Sequence, residues 1–214
     1  MSRLRSLINP VLALALAAGL ATAGTARAAS PDAAASFVQD LGDRAIAKLS
    51  DTELSEEQRE KRFLNMLDEG FAMEAISRFV LGRYWRVASE EEQKTFRATF
   101  KRVLAERFVP MFTNYGTDDF KVLEGKPDPS NPSLYRVTTR IKDPTSGNMV
   151  TANWRVRHKD GEFAIVDVKA EGVSMAITLR GEYNSVIQRN NGSVAALIDR
   201  MQKALERDGT KGDS

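Results

Sequence analysis

The hydrophobic period of this chain changes twice along its length, and that limits the folds open to it. Up to about residue 116, apolar residues recur at helical spacing. Phe37, Leu41, Ala45 and Leu49 form a clean i, i+4 stripe. From Leu134 the period becomes two. Tyr135, Val137, Thr139 and Ile141 alternate with Arg136, Thr138, Arg140 and Lys142. Val150, Ala152, Trp154 and Val156 then alternate with Thr151, Asn153, Arg155 and Arg157. After Gly172 the helical period returns, with Met175, Leu179, Tyr183, Val186 and Ile187 on one stripe. Helices, then strands, then helices predict an α+β fold: a curved antiparallel sheet packed against N-terminal and C-terminal helices.

Local signals place the boundaries. Ser55 with Gln58 and Ser89 with Glu92 have capping-box spacing before helical stripes. Ile76 to Leu81 ends at Gly82, a C-cap residue type. The helix carrying Phe96, Phe100, Val103, Leu104 and Phe108 is expected to kink or break near Val109, because Pro110 lacks an N–H. Met111, Phe112 and Tyr115 continue its face to Gly116. Asp143-Pro144-Thr145-Ser146-Gly147 and Lys159-Asp160-Gly161 predict turns, and Phe163 to Val168 a third strand. Phe120 to Leu123 makes a fourth, edge strand, followed by a proline-rich loop from Lys126 to Pro132. Ser174 caps the next helix, Asn190-Asn191-Gly192 stops it, and Ser193 caps a last one.

The amino terminus has the layout of a cleavable export signal. Arg3 and Arg5 precede a run from Val11 to Ala23 that is almost purely Ala, Leu, Val and Gly. Ala26-Arg27-Ala28 follows, with small residues where a signal peptidase reads. The run is about a dozen residues, against roughly 20 for a spanning helix. The expected organisation is 1–28 signal peptide, 29–207 one domain and 208–214 polar tail, with cleavage near Ala28 and work in the periplasm. Residues 1–28 hold three Arg and no acid, so a formal charge of +2 becomes −1 after cleavage. A near-neutral chain is a poor candidate for nucleic-acid binding, which needs a concentrated basic field. With no Cys and one His, thiol chemistry and Cys- or His-rich metal centres are excluded, and no cofactor is expected.

Three features invite chemical readings. Asp167 lies in an apolar strand, where an unpaired carboxylate is costly. Arg180 in the following helix is its expected partner in a structural ion pair; contact with a ligand's polar group or an acid–base role are alternatives. His158, beside a turn, is expected to be solvated. Arg136, Arg140, Arg155 and Arg157, with Lys142, share the strand face opposite the apolar one. They are either a solvated surface or a docking face for an acidic partner.

Three stretches taken together resemble a known family. They are Phe79-Val80-Leu81-Gly82-Arg83-Tyr84-Trp85-Arg86 with Gln93, Phe96 and Phe100; Trp154-Arg155-Val156 with Asp160-Gly161; and Val166-Asp167-Val168, Glu171-Gly172-Val173-Ser174, Arg180, Tyr183, Gly192 and Leu197. Over about residues 35 to 205 the chain resembles the MlaC family, periplasmic phospholipid-binding components of the Mla system. One departure is Phe163, where the family often has Trp. The resemblance implies a conical fold similar to nuclear transport factor 2, with an apolar cavity for phospholipid tails. It also implies a monomeric, non-enzymatic carrier between an inner-membrane ABC transporter with an MCE-domain subunit and an outer-membrane lipoprotein complex.

Physics supplies the need for such a carrier. At ~0.8 kcal/mol per CH2, two acyl chains of about thirty methylenes cost on the order of 25 kcal/mol in water. The cavity is expected near or above the top of the usual ligand range of about 300–1,000 Å3. Its expected wall is Phe79, Tyr84, Trp85, Phe108, Phe112, Tyr115, Val137, Ile141, Trp154, Val156, Met175 and Leu179. Periodicity cannot separate these from solid core. The competing function is a small exported enzyme of isomerase or hydratase type, pairing Asp167 with Tyr84, Tyr135 or Tyr183.

Overall fold

A computed structural model describes residues 29–143 and 146–209; the export-signal reading lies outside the described residues. The order is α1 (Pro31–Leu49), α2 (Glu56–Gly70), α3 (Met73–Leu81), α4 (Glu90–Phe108), β1 (Phe120–Pro127), β2 (Leu134–Lys142), β3 (Met149–Lys159), β4 (Glu162–Ala170), β5 (Val173–Ser174), α5 (Met175–Arg189) and α6 (Val194–Gly209). Short 3-10 turns occupy Gly82–Arg86, Val109–Asn114 and Thr117–Asp119. No described helix is long and apolar enough to cross a membrane.

The caps form where the sequence places them. Ser55 and Ser89 each complete a capping box, with Gln58 and Glu92 side chains reaching back to the cap N–H. Ser174 Oγ accepts from Ile177 N–H at 3.1 Å, and Ser193 Oγ from Ala196 N–H at 3.1 Å. The α4 helix stops at Phe108 and tightens into the 3-10 turn containing Pro110, as the missing proline donor requires.

The strands form one antiparallel sheet in the order β1-β2-β3-β4-β5. It has five strands rather than the expected four. The extra one, Val173–Ser174, is too short for periodicity to reveal. β1 also extends further than expected, to Pro127. Irregular register between Val122 and Glu124, and between Arg155 and Val156, bends the sheet.

α1 covers the β1 edge. Gly125 makes that approach possible: a Cβ there would lie 2.2 Å from the Pro31 carbonyl oxygen. At the other end of α1, Arg59 donates to the carbonyls of Leu49 at 2.9 Å and Asp51 at 2.8 Å, which ties the loop to α2. α3 packs on α5 and α4 on α6. There Phe96 and Phe100 are fully buried, stacked at 5.6 Å, with the Tyr183 ring edge-on to both at 6.0 Å. This side of the molecule is solid up to Phe100, which also forms part of the wall of a hollow.

Candidate functional site

The other side is not solid. A hollow of about 410 Å3 lies between the inner sheet face and helices α1, α2, α4 and α5. Small residues on α1, Gly42 and Ala45, face it, while Leu41 and Leu49 flank them. Gly42 has to be small: a Cβ would meet the Phe120 ring at 2.3 Å. α2 contributes Phe63, Met66 and Leu67, and β2 and β3 contribute Ile141, Val150, Ala152 and Trp154. Trp154 is held flat against the wall by an Nε1–H bond of 2.8 Å to Thr139 Oγ1.

The hollow is smaller than the expectation of about 1,000 Å3 or more. Aromatic rings stand within it. Phe112 lies 6.2 Å from Phe63 and 5.7 Å from Tyr115, while Trp154 meets Phe120 edge-on at 6.2 Å. The volume still falls within the ordinary ligand range.

Seven expected wall residues line the hollow: Phe108, Phe112, Tyr115, Ile141, Trp154, Met175 and Leu179. Five lie elsewhere. Val137 and Val156 are completely buried within the solid packing of the sheet. Tyr84 is buried, its hydroxyl accepting from Arg83 at 2.8 Å. Trp85 sits on the following turn, with its carbonyl accepting from Gln93 at 2.9 Å. Phe79 faces outward beneath the Arg180 guanidinium, 5.0 Å from the ring centre. Sequence reasoning missed most of the α1 and α2 contribution. Leu41, Ala45 and Leu49 of that wall lie on the i, i+4 stripe read in the sequence, but such a stripe marks a buried face without separating cavity wall from core.

Asp167 borders the hollow but does not pair with Arg180. Its Oδ2 accepts from Ser174 Oγ–H at 2.7 Å and its Oδ1 from Ala176 N–H at 3.1 Å. It therefore satisfies the first turn of α5, where orphan N–H groups favour a carboxylate. Arg180 is drawn to Phe79 instead. Both oxygens of Asp167 are occupied, and no tyrosine hydroxyl is among these partners. Tyr183 is packed in the solid core, where burial chiefly, with the Glu182 charge, pushes its pKa to about 12 against the opposing pull of Arg107.

The hollow reaches solvent where β2 stops and β3 begins. Lys142 and Asp143 line it there, and the Lys142 side chain is 43% exposed. Lys142 Nζ lies 3.2 Å from Asp119 Oδ1, so it does not join the outer basic face as expected. Asp119 accepts from Gly116 N–H at 2.7 Å. That bond chiefly holds its carboxyl below the usual range; burial opposes it, and Lys142 adds to the lowering. The Tyr115 hydroxyl donates to the Lys142 carbonyl. Burial first, then Asp119 and Asp143, push its pKa to about 12.

The outer basic face is partly engaged. Arg155 Nε lies 3.0 Å from Asp128 Oδ2, a carboxylate almost fully buried in the β1–β2 loop. Arg136 is half-buried beside Arg155 in the register, Arg157 is half-buried, and Arg140 is exposed. His158 is half-buried rather than solvated, because it pairs with Phe163 across β3–β4, with ring centres 4.7 Å apart.

Comparison with known proteins agrees with this architecture. The family model described as MlaC protein matches residues 39–203. A curated relative from Haemophilus influenzae, the intermembrane phospholipid transport system binding protein MlaC, is 24% identical over 129 residues, 60% of this chain. The alignment spans 59% of that relative's length. A phospholipid-binding protein from Ralstonia solanacearum, solved in complex with a phospholipid, superposes with a TM-score of 0.68 at 17% identity, covering 82% of this chain and 98% of its own. The fold is shared with that structure, and the family match covers most of the residues described. The chain belongs to the MlaC family.

Proposed function

We propose that this protein is a non-enzymatic periplasmic carrier that holds the acyl chains of a phospholipid in its hollow. The observation that carries the reading is the character of that hollow. Apolar side chains from helices and sheet form nearly all of its wall, and among the described residues charge appears at only three, Lys142, Asp143 and Asp167. Acyl chains carry no polar information, so a wall of this kind suits them and suits few other ligands. A relative in the phospholipid transport system and a structural neighbour bound to phospholipid support the same reading.

Loading must displace the Phe63 and Phe112 rings, which narrow the hollow. The space beside these rings gives side-chain rotation room to act. The inferred route runs between an inner-membrane transporter and an outer-membrane lipoprotein complex. The outer sheet face, through Arg136, Arg140, Arg155 and Arg157, is the proposed docking surface, with Arg155 also held by Asp128. Changing Arg136 and Arg140 to Glu, which leaves the Arg155–Asp128 contact in place, should slow delivery in a salt-sensitive way without lowering bound lipid. Loss of lipid with normal delivery per loaded carrier would contradict that assignment.

Lipid extraction from protein purified out of the periplasm, followed by mass spectrometry, tests the central reading. About one two-chain phospholipid per molecule is expected. Protein that carries none, and takes none up from vesicles, refutes it.

A further inference from the structure

Among the described residues three charged side chains line the hollow, and two already have structural tasks. Asp167 closes the first turn of α5. Asp143 Oδ1 accepts from Ser146 N–H at 2.9 Å in the β2–β3 turn. Lys142 remains as the one cation among the described wall residues. Its position is set from two sides. The Tyr115 hydroxyl bonds its backbone carbonyl, fixing the end of β2. Asp119, itself held by Gly116 N–H at 2.7 Å, holds the ammonium at 3.2 Å from its Oδ1, on a side chain that lines the hollow and is 43% exposed to solvent.

A lipid whose tails fill the hollow leaves its phosphate at the opening, since burying an unpaired phosphate is costly. We infer that Lys142 is a specificity-determining residue whose ammonium binds the lipid phosphate, exchanging part of its ion pair with Asp119 for a phosphate oxygen. This rests on the lipid-carrier reading and deepens it. The apolar wall recognises chains, which diacylglycerol also has; Lys142 distinguishes the phosphorylated lipid. The same chemistry would suit free phosphate, but a single exposed lysine beside an aspartate is no cage for it. Affinity comes from the tails.

The test uses lipid-stripped full chain and monomeric short-chain lipids with identical tails: dioctanoyl phosphatidylglycerol and dioctanoylglycerol, each displacing a fluorescent amphiphile. Wild type should favour the phospholipid by about 3- to 5-fold, the scale of an exposed ion pair. Lys142→Gln should bring the ratio close to one through weaker binding of dioctanoyl phosphatidylglycerol. Lys142→Arg should retain the preference, and Asp119→Asn, which releases the ammonium, should increase it. Millimolar inorganic phosphate should not displace the amphiphile. An unchanged ratio in Lys142→Gln, an unchanged ratio in Asp119→Asn, or displacement by inorganic phosphate each overturns the assignment to Lys142 while leaving the carrier reading intact. If wild type binds neither lipid, the carrier reading itself fails.

Discussion

Single residues divide into those that shape the hollow and those that hold the scaffold around it, and substitution separates the two. Phe112 narrows the hollow and is half-buried. Phe112→Ala enlarges the space and should keep or raise bound lipid. Phe112→Glu puts a charge among acyl chains and should lower lipid content at least several-fold, with little change in thermal midpoint. Val156 is fully buried outside the hollow, so Val156→Ala should cost roughly 1–3 kcal/mol of stability with normal lipid per folded molecule. Lipid counts and melting curves on the three variants check both assignments; equal lipid loss in all three would erase the distinction. Asp167 belongs with the scaffold. Asp167→Ala leaves the buried Ser174 hydroxyl and Ala176 N–H without their partner, a loss of about 1–3 kcal/mol in denaturant unfolding. If Arg180→Ala costs as much and Asp167→Ala nothing, the capping role is wrong.

At the scale of elements, the joints between strands and loops are held by polar contacts that periodicity does not encode. The β1–β2 loop is fastened by Asp128, which accepts from Ser130 Oγ–H at 2.6 Å, Ser130 N–H at 2.9 Å and Asn131 N–H at 3.1 Å, besides its ion pair with Arg155. Burial would raise this carboxyl, but the Ser130 bonds and the Arg155 guanidinium outweigh it and hold the pKa below the usual range. A depressed folded-state value means that the stabilisation is complete at neutral pH. It starts to fall near the ordinary value of about 4 and is lost as pH drops through the lower folded value. Wild type should therefore lose stability as pH falls through that range. Asp128→Asn should begin less stable and decline less. Identical pH profiles from denaturant titrations would show that the staple contributes nothing. The element boundaries themselves were legible because caps and breakers are local: Ser55, Ser89, Pro110 and Gly82 act within one turn of the chain. The two-residue β5 was not, since it forms only where the chain turns back beside β4. Nor was the Asp167 contact, because an α5 N–H is a backbone group with no sequence signature.

Across the whole molecule, the α+β layering follows from the order in which the hydrophobic period changes, but the position of the hollow does not. Phe96 and Phe112 look alike in sequence, separated by about four helical turns. One packs against Phe100 and Tyr183 in solid core, and the other faces open volume. The difference arises from what lies opposite: α5 and α6 fill the first site, while the second faces the space enclosed by α1, α2 and the sheet. Phe79, Tyr84 and Trp85 were misplaced for the same reason, since a motif identifies residues without saying which side of a packed layer they face. The account therefore depends on where acyl chains sit. The direct measurement is photo-crosslinking with a phospholipid bearing a diazirine near its tail end, followed by peptide mapping. The account predicts adducts on Met66, Phe108, Phe112 and Leu179. Adducts on Val137, Tyr84 or the outer strand residues Arg136 and Arg140, with those four unlabelled, would contradict it.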